Sequence, residues 1–284
     1  MKKIGIVVDS TFNLQESVAE NLDFKVVNLN IIIDGVVFTD GVDVTSQDVY
    51  EALDNGKKVT TTQPSPDGFL EAYNEYIKEG VTDIICFTVS SGISGTFQSA
   101  NIAKDLVEKD ANIKVVDSKS GAMGCELLIS ELKEMMLSGD DFSLMHNDIQ
   151  EIVKNMTTVL TIDDLEVLLK SGRLSKAQTL LGSIMKVKPV MALDEDGKVY
   201  IAGKVRTSKK VLDFIVNKVN ETINVKDFVH IRIGHINAIE RAKNLKHKLE
   251  ERFENAKVYI SKEITPVMSV HLGKGGLGLA WVKK

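Results

Sequence analysis

Short apolar runs alternate with amphipathic stretches through the first half of the chain. Ile4–Val8 is a continuous apolar run closed by Asp9-Ser10, the pattern of a strand buried on both faces. A helix over about Leu14–Leu22 follows. Phe24–Ile33 then reads as one long strand, with Asp34-Gly35 as a hairpin turn into Val36–Phe38. Ser46–Asn55 reads as a helix with Ser46 as N-cap, and Ser65–Lys78 as a helix that starts after Pro64 and stops at Gly80. The strand Ile84–Val89, a helix from Thr96 to about Val107, the strand Lys114–Val116 and a helix over Ser120–Leu137 continue the alternation. Strand, then Asp-Ser, then helix occurs twice, at Asp9-Ser10 and at Asp117-Ser118. Such alternation predicts a parallel sheet with helices on both faces and a ligand at the carboxyl ends of its strands.

The second half is patterned differently. A helix over Phe142–Asn155 leads into the strand Thr157–Thr161, the helix Ile162–Lys170, a turn at Gly172-Arg173-Leu174 and a helix over Lys176–Met185. The strands Val190–Leu193 and Val199–Ala202 are joined by Asp194-Glu195-Asp196-Gly197, a hairpin signal. Helix Ser208–Val219, strand Phe228–Ile233, helix Ala238–Phe253 and strand Lys257–Ile260 precede a glycine-rich tail and a last strand, Leu279–Val282. Hairpins mixed with helices predict an α+β unit. The fold class is therefore α/β with two domains, a parallel-sheet α/β domain over residues 1–155 and an α+β domain over residues 156–284.

Charge and cysteine usage narrow the setting. A net charge of −5 opposes a nucleic-acid binder, which carries a basic face. The two cysteines, Cys86 and Cys125, lie in apolar surroundings and form neither a disulfide framework nor a CxxC pair, as in a reducing compartment. The apolar run at the N-terminus is too short for a signal peptide, and no stretch approaches the roughly 20 apolar residues that span a bilayer. The expected location is the cytoplasm, with no stable membrane insertion and at most transient contact with a membrane surface.

Two hydroxyl-rich turns carry the candidate chemistry, Thr60-Thr61-Thr62-Gln63-Pro64-Ser65 and Ser90-Ser91-Gly92-Ile93-Ser94-Gly95-Thr96. Ser, Thr and Gly at a helix start commonly serve as caps, but they also offer hydroxyls and backbone N–H groups to an anion. Neither turn contains a lysine or the GxxxxGK[ST] spacing, so a single carboxylate suits them better than a triphosphate. Gly95 directly follows Ser94, so the GxSxG nucleophile elbow is absent. His271 lies in an apolar stretch, where it serves either as a core residue or as a donor to a bound carboxylate. Arg206 precedes a helix start at Thr207-Ser208 and is either a solvated charge or a guanidinium that pairs with an anion. Gly273–Gly278 matches GxGxxG, but only six residues follow it, too few to complete a βαβ unit. No metal-ligand spacing is present, and neither a metal nor a cofactor is expected.

Taken together, these segments resemble the DegV family of bacterial fatty-acid-binding proteins, along essentially the whole chain. The marks are VVDST at 7–11, TTQPS at 61–65, SSGISGTFQSA at 90–100, VVDSKSGAMG at 115–124, LEVLLKSGRLS at 165–175, KVKPV at 186–190, GKVRTSKK at 203–210 and HLGKGGLGLAW at 271–281. The resemblance implies a long-chain fatty acid buried between two domains, in a lipid-binding subunit of a bacterial fatty acid kinase that serves phospholipid metabolism. A separate ATP-dependent subunit would convert the presented carboxylate to acyl phosphate. By motif, Thr62 and Ser94 with the Gly95 amide would hold the carboxylate, and His271 would hydrogen-bond near the head group. Thr61 is a further candidate, and Arg206 would serve in phosphotransfer or partner contact at the rim. Family members often read Thr-Ser-Gln-Pro where this chain has Thr61-Thr62-Gln63-Pro64, which keeps a hydroxyl and adds a methyl.

The physics agrees with that implication. Burying about fourteen methylenes at ~0.8 kcal/mol each contributes roughly 11 kcal/mol before association costs. A buried carboxylate needs donors at one end of such a tunnel. The apolar run Leu180–Met185 is one candidate for the tunnel wall. The carrier reading expects no catalytic activity from the chain alone. The alternative is a hydrolase or transferase acting on an acyl substrate through Ser94 and His271, which needs a base within hydrogen-bond reach of the nucleophile.

Overall fold

Three sheets organise the chain in a computed structural model that describes residues 3–12, 22–163, 165–174 and 187–283. The strand β1 (Ile4–Asp9) pairs in parallel with β2 (Phe24–Val27). A separate antiparallel sheet follows, made of β3 (Asn30–Ile33), β4 (Val36–Thr39) and β5 (Val59–Thr62) in the order β4-β3-β5. The chain then returns to the first sheet with β6 (Asp83–Thr88) and β7 (Asn112–Asp117), giving the parallel order β2-β1-β6-β7. Every residue of β6 is buried, as expected for a central parallel strand covered on both faces.

The long strand expected over Phe24–Ile33 is in fact two strands in two sheets. The break falls at Asn28-Leu29. There Leu29 N donates to Ser10 Oγ at 3.2 Å and Asn28 Nδ2 donates to the Asp40 carbonyl at 2.9 Å. Both halves are apolar, so hydropathy alone does not mark the switch. The hairpin at Asp34-Gly35 is present, with φ of 50° and 88° as a two-residue turn between twisted strands requires. Thr60–Thr62, read as part of a turn, belongs to β5; β-branched threonines suit a pleated strand.

The helices of this half are α1 (Ser46–Asp54), α2 (Pro66–Lys78), α3 (Thr96–Asp105), α4 (Met123–Ser138) and α5 (Phe142–Asn155). The N-cap of α1 is Thr45 rather than Ser46. Its hydroxyl accepts from Asp48 N while the Asp48 carboxylate accepts from Thr45 N, a reciprocal capping box. The helix expected near Leu14 lies outside the described residues apart from Leu22, which is not helical.

From residue 157 the chain builds a six-stranded sheet. Its elements are β8 (Thr157–Thr161), α6 (Leu165–Ser171), β9 (Lys188–Leu193), β10 (Val199–Val205), α7 (Ser208–Thr222), β11 (Val229–His235), α8 (Ile239–Arg252), β12 (Ala256–Glu263), α9 (Pro266–Leu272) and β13 (Leu277–Lys283). The strand order is β10-β9-β8-β13-β11-β12, antiparallel except for β11 with β12. The GxGxxG segment is a turn that feeds the last strand into the middle of this sheet. The helix α9 is absent from the sequence reading, although Pro266 at its start and Gly273 with φ 67° at its end delimit it. The expected helix Lys176–Met185 and the run Leu180–Met185 lie outside the described residues. No described helix is long and apolar enough to cross a membrane.

Packing ties the sheets together. Val211, Ile215, Ala242 and Leu245 of α7 and α8 cover one face of the six-stranded sheet. The helix α4 covers the other face, and its Cys125, Leu128, Ile129 and Leu132 simultaneously pack on β1 and β6 of the parallel sheet. Between α4 and β11–β12 lies a buried polar layer. Arg232 Nη1 is 3.4 Å from Glu126 Oε1, its Nη2 donates to Ser130 Oγ at 2.7 Å, and Ser261 Oγ donates to the other Glu126 oxygen.

The β9–β10 hairpin also docks on the parallel-sheet half, where Ser90 Oγ donates to the Gly197 carbonyl at 2.8 Å. Gly197 holds φ 72°, and a Cβ there would collide with Ser90 Oγ and lie 3.1 Å from the Lys119 Cα. Gly197→Ala is therefore expected to cost about 1–3 kcal/mol of stability, from left-handed backbone strain and the lost seat. Urea unfolding checks this, and a loss below about 0.5 kcal/mol, within the range of an ordinary surface substitution, would contradict it.

Candidate functional site

The carboxyl ends of β1, β6 and β7 open onto a cavity of about 350 Å³ whose walls come from all three sheets and from α9. This is the position expected of a ligand site in a parallel sheet. The apolar wall includes Ala122, Met123, Leu160, Leu193, Met268 and Leu272, which belong to one packed cluster. Its volume is in the range of small-molecule sites, roughly 300–1,000 Å³.

Polar groups collect at one end. Thr61 and Thr62 lie on β5 with Gln63 just beyond, and Ser94 and Gly95 precede α3. These two segments touch, since a Cβ at Gly95 would collide with Gln63 Oε1. His271, in the last turn of α9, reaches Thr61, with Nε2 2.8 Å from Thr61 Oγ1. The structure thus gathers Thr61, Thr62, Ser94, Gly95 and His271 at the polar end of one cavity. Arg206 does not line this cavity; it is exposed at the junction of β10 and α7, beside the N-cap Thr207.

His271 is held neutral. Burial first, and the Arg173 charge second, pull its pKa down to about 4. Its Nδ1 is buried with no hydrogen-bond partner among the described residues. A neutral imidazole carries one N–H. If His271 Nε2 donates to Thr61, the Thr61 hydroxyl is free to donate onward to an anion; if Thr61 donates to Nε2, the proton sits on Nδ1. Ser94 Oγ lies 2.8 Å from Thr96 Oγ1 and accepts from Thr96 N at 3.3 Å, so Ser94 and His271 have different partners. The nucleophile–base hydrogen bond of a hydrolase is not formed.

Arg173 and Gln63 are site residues that sequence reasoning missed. Arg173 lay inside a segment read only as a turn. Its surroundings, Lys170-Ser171-Gly172-Arg173-Leu174-Ser175-Lys176, are polar and hold two further cations, so no local signal singles it out. Gln63 Nε2 donates to Ser99 Oγ at 3.1 Å, which pins the β5 end to the first turn of α3.

Two buried carboxyls support the site from behind. Asp9 accepts from Val89 N at 2.6 Å and from Thr11 N at 2.9 Å, fixing the loop that leads to Ser94. Asp40 accepts from Ser10 Oγ at 2.6 Å and from Val267 N at 2.8 Å, fixing the start of α9. Burial pushes each carboxyl up to about 6. A carboxyl whose folded pKa exceeds its unfolded value holds its proton more tightly in the fold. Its contribution to stability is complete below about pH 4 and is lost as pH rises through about 6. Asp40→Asn keeps an acceptor for Val267 N, so its unfolding free energy is expected to fall less than that of the wild type between pH 4.5 and 7, by about 1–2 kcal/mol. Parallel urea titrations at the two pH values check this, and identical slopes would contradict it.

Away from the cavity, Glu131, Glu134 and His230 bring one oxygen or nitrogen each within 4.8 Å of one another. The core of that group is a hydrogen bond of 2.6 Å between His230 Nδ1 and Glu131 Oε1, across α4 and β11.

Comparison with known proteins gives a consistent result. The model of the DegV family, described as uncharacterised proteins, matches residues 3–284. A DegV domain-containing protein of Staphylococcus aureus is 34% identical over 284 residues, covering 100% of both chains. A fatty-acid-binding DegV family protein from Thermus thermophilus superposes with a TM-score of 0.90 at 25% identity, covering 100% of both chains. A fatty acid binding DegV family protein from Streptococcus agalactiae gives 0.89 at 26% identity, again over 100% of both chains.

Proposed function

The chain belongs to the DegV family, and on that premise we propose that it binds a long-chain fatty acid in the cavity beneath α9. In this reading the acyl chain lies against Met123, Leu160, Leu193 and Met268, between a parallel-sheet domain ending near residue 155 and the α+β domain that follows. The carboxylate sits at Thr62, Ser94 and the Gly95 amide, with His271 and Thr61 completing the donor set. The protein is a carrier in the cytoplasm with no catalytic activity of its own. It presents the carboxylate to a separate ATP-dependent kinase subunit. There a carboxylate oxygen forms a bond to the γ-phosphorus of ATP, the bond between that phosphorus and the β–γ bridging oxygen breaks, and ADP leaves. Arg206, exposed beside the α7 N-cap, contacts the partner.

The observation that carries this reading is an apolar cavity closed at one end by hydroxyls, an amide and a neutral imidazole with an unpartnered nitrogen. Apolar area supplies affinity, and the donors fix orientation and offset desolvation of the carboxylate. Mass spectrometry of organic extracts from the purified protein is the first test, with a stoichiometric fatty acid expected. Ser94→Ala combined with Thr62→Ala is expected to weaken fatty-acid binding by about 10–100-fold, through lost hydrogen bonds to a charged group. An empty protein that also fails to take up added fatty acid would overturn the proposal.

A further inference from the structure

Beside the buried Arg232–Glu126 layer, α4 and β11 direct three metal-ligating side chains at one point. Glu131 and Glu134 stand one turn apart on α4, and His230 stands two residues before Arg232 on the same face of β11. Each offers one donor atom, and the three atoms lie within 4.8 Å of one another. Glu131 is 2% exposed and His230 8%, whereas Glu134 is exposed, so the point is walled by protein on one side and open to solvent on the other. His230 Nδ1 and Glu131 Oε1 are hydrogen-bonded at 2.6 Å. That contact joins residues 99 apart in the chain, so no ligand spacing in the sequence marks the group.

Two carboxylates one helical turn apart repel each other. A divalent cation offsets both charges, whereas the proton between His230 and Glu131 offsets at most one. The donor set then selects the cation. Mg2+ and Ca2+ take six or more ligands and prefer oxygen throughout. One imidazole nitrogen with two carboxylates suits Zn2+, which binds three side chains at about 2.0–2.2 Å and keeps a fourth position for water. Donors at that radius lie roughly 3.3 Å apart in a tetrahedral shell. The His230–Glu131 contact therefore opens by about 0.7 Å as the ion replaces the proton, which leaves to solvent. We propose that Glu131, Glu134 and His230 form a zinc-class metal site that ties α4 to β11. The helix α4 also packs on β1 and β6, so an ion here fastens the six-stranded sheet to the parallel one. None of the three residues lines the fatty-acid cavity, and the site stands independently of that reading.

Chelator-treated full-length protein, titrated calorimetrically with ZnCl2 and spectroscopically with Co2+, tests it. One Zn2+ per chain is expected, with a Kd of about 10 μM or lower. Tm should rise by roughly 3 °C or more when free Zn2+ exceeds that Kd about a hundredfold. Glu134→Gln leaves the buried His230–Glu131 contact in place and is expected to weaken Zn2+ binding by at least ~10-fold, the loss found even for groups that only support a ligand. His230→Gln should weaken it similarly and change the visible absorption of bound Co2+, which reports the ligands around the ion. On α8, exposed His247 and Glu251 offer a second His–carboxylate pair, with Nδ1 3.2 Å from Oε2. His247→Gln should leave Zn2+ affinity within about twofold, because that pair lies outside the site. A tenfold loss in His247→Gln, unchanged affinity in Glu134→Gln, equal affinity for Mg2+, or no uptake of Zn2+ would each overturn the site.

Discussion

Gly121→Leu is expected to weaken long-chain fatty-acid binding by at least ~100-fold while the protein remains folded. Gly121 lines the cavity beneath α9, between β7 and α4, and a Cβ built there meets Met268 Cε at 3.1 Å and Val89 Cγ2 at 3.8 Å. Both neighbours belong to the cavity wall, so a longer side chain extends into the space proposed for the ligand. Its backbone is not left-handed, so a side chain adds no φ strain. Displacing even four methylenes at ~0.8 kcal/mol each removes about 3 kcal/mol, which is the hundredfold loss. The penalty should shrink for shorter acyl chains, which leave that part of the cavity empty. Isothermal titration across a chain-length series measures this, alongside a thermal melt to verify folding. Unchanged affinity for the long chain would mean that it does not occupy this cavity.

Arg232→Met is expected to cost about 3–5 kcal/mol of folding stability, the scale for leaving one member of a buried ion pair uncompensated. Glu126 is fully buried and Arg232 is only 7% exposed, stacked with its guanidinium carbon 4.5 Å from the centre of the Tyr259 ring. Burial already holds the Glu126 carboxyl above its usual range, against the pull of Arg232 and Ser261. Without Arg232 the carboxyl rises further and takes a proton in the fold. The sign follows from linkage: a raised folded pKa means stability is lost as pH rises, so the variant should recover part of its deficit on acidification from pH 7 to 5. Glu126→Gln/Arg232→Met removes both charges and should be more stable than the single variant, because no ion is left buried alone. Urea unfolding of the wild type, of Arg232→Met, of Glu126→Gln and of the double variant closes the cycle. A single-variant loss below about 1 kcal/mol would show that the pair contributes little to stability.

The reading of individual elements divides along physical lines. Phe142–Asn155 and Thr157–Thr161 are recovered residue for residue, because periodic apolar spacing and end signals are local. The false continuity of Phe24–Ile33 arose because both halves are apolar and the break is held by Ser10 and Asp40, 19 and 12 residues from their partners. The helix α9 was missed because seven residues are too few to show a 3.6-residue period.

The site shows the same division. Thr61, Thr62, Ser94, Gly95 and His271 were marked from residue type and the family resemblance, and Arg173 and Gln63 were not. By itself the sequence determined the alternation of elements, the hydroxyl-rich ends of β5 and of the loop before α3, and the family, since these depend on local spacing and motif order. Only the tertiary structure decided that His271 reaches Thr61, 210 residues away. It also decided that burial beside Arg173 keeps that imidazole neutral. Burial, dielectric surroundings and charge proximity belong to groups packed in space, and residues distant in the chain carry no local pattern that encodes them.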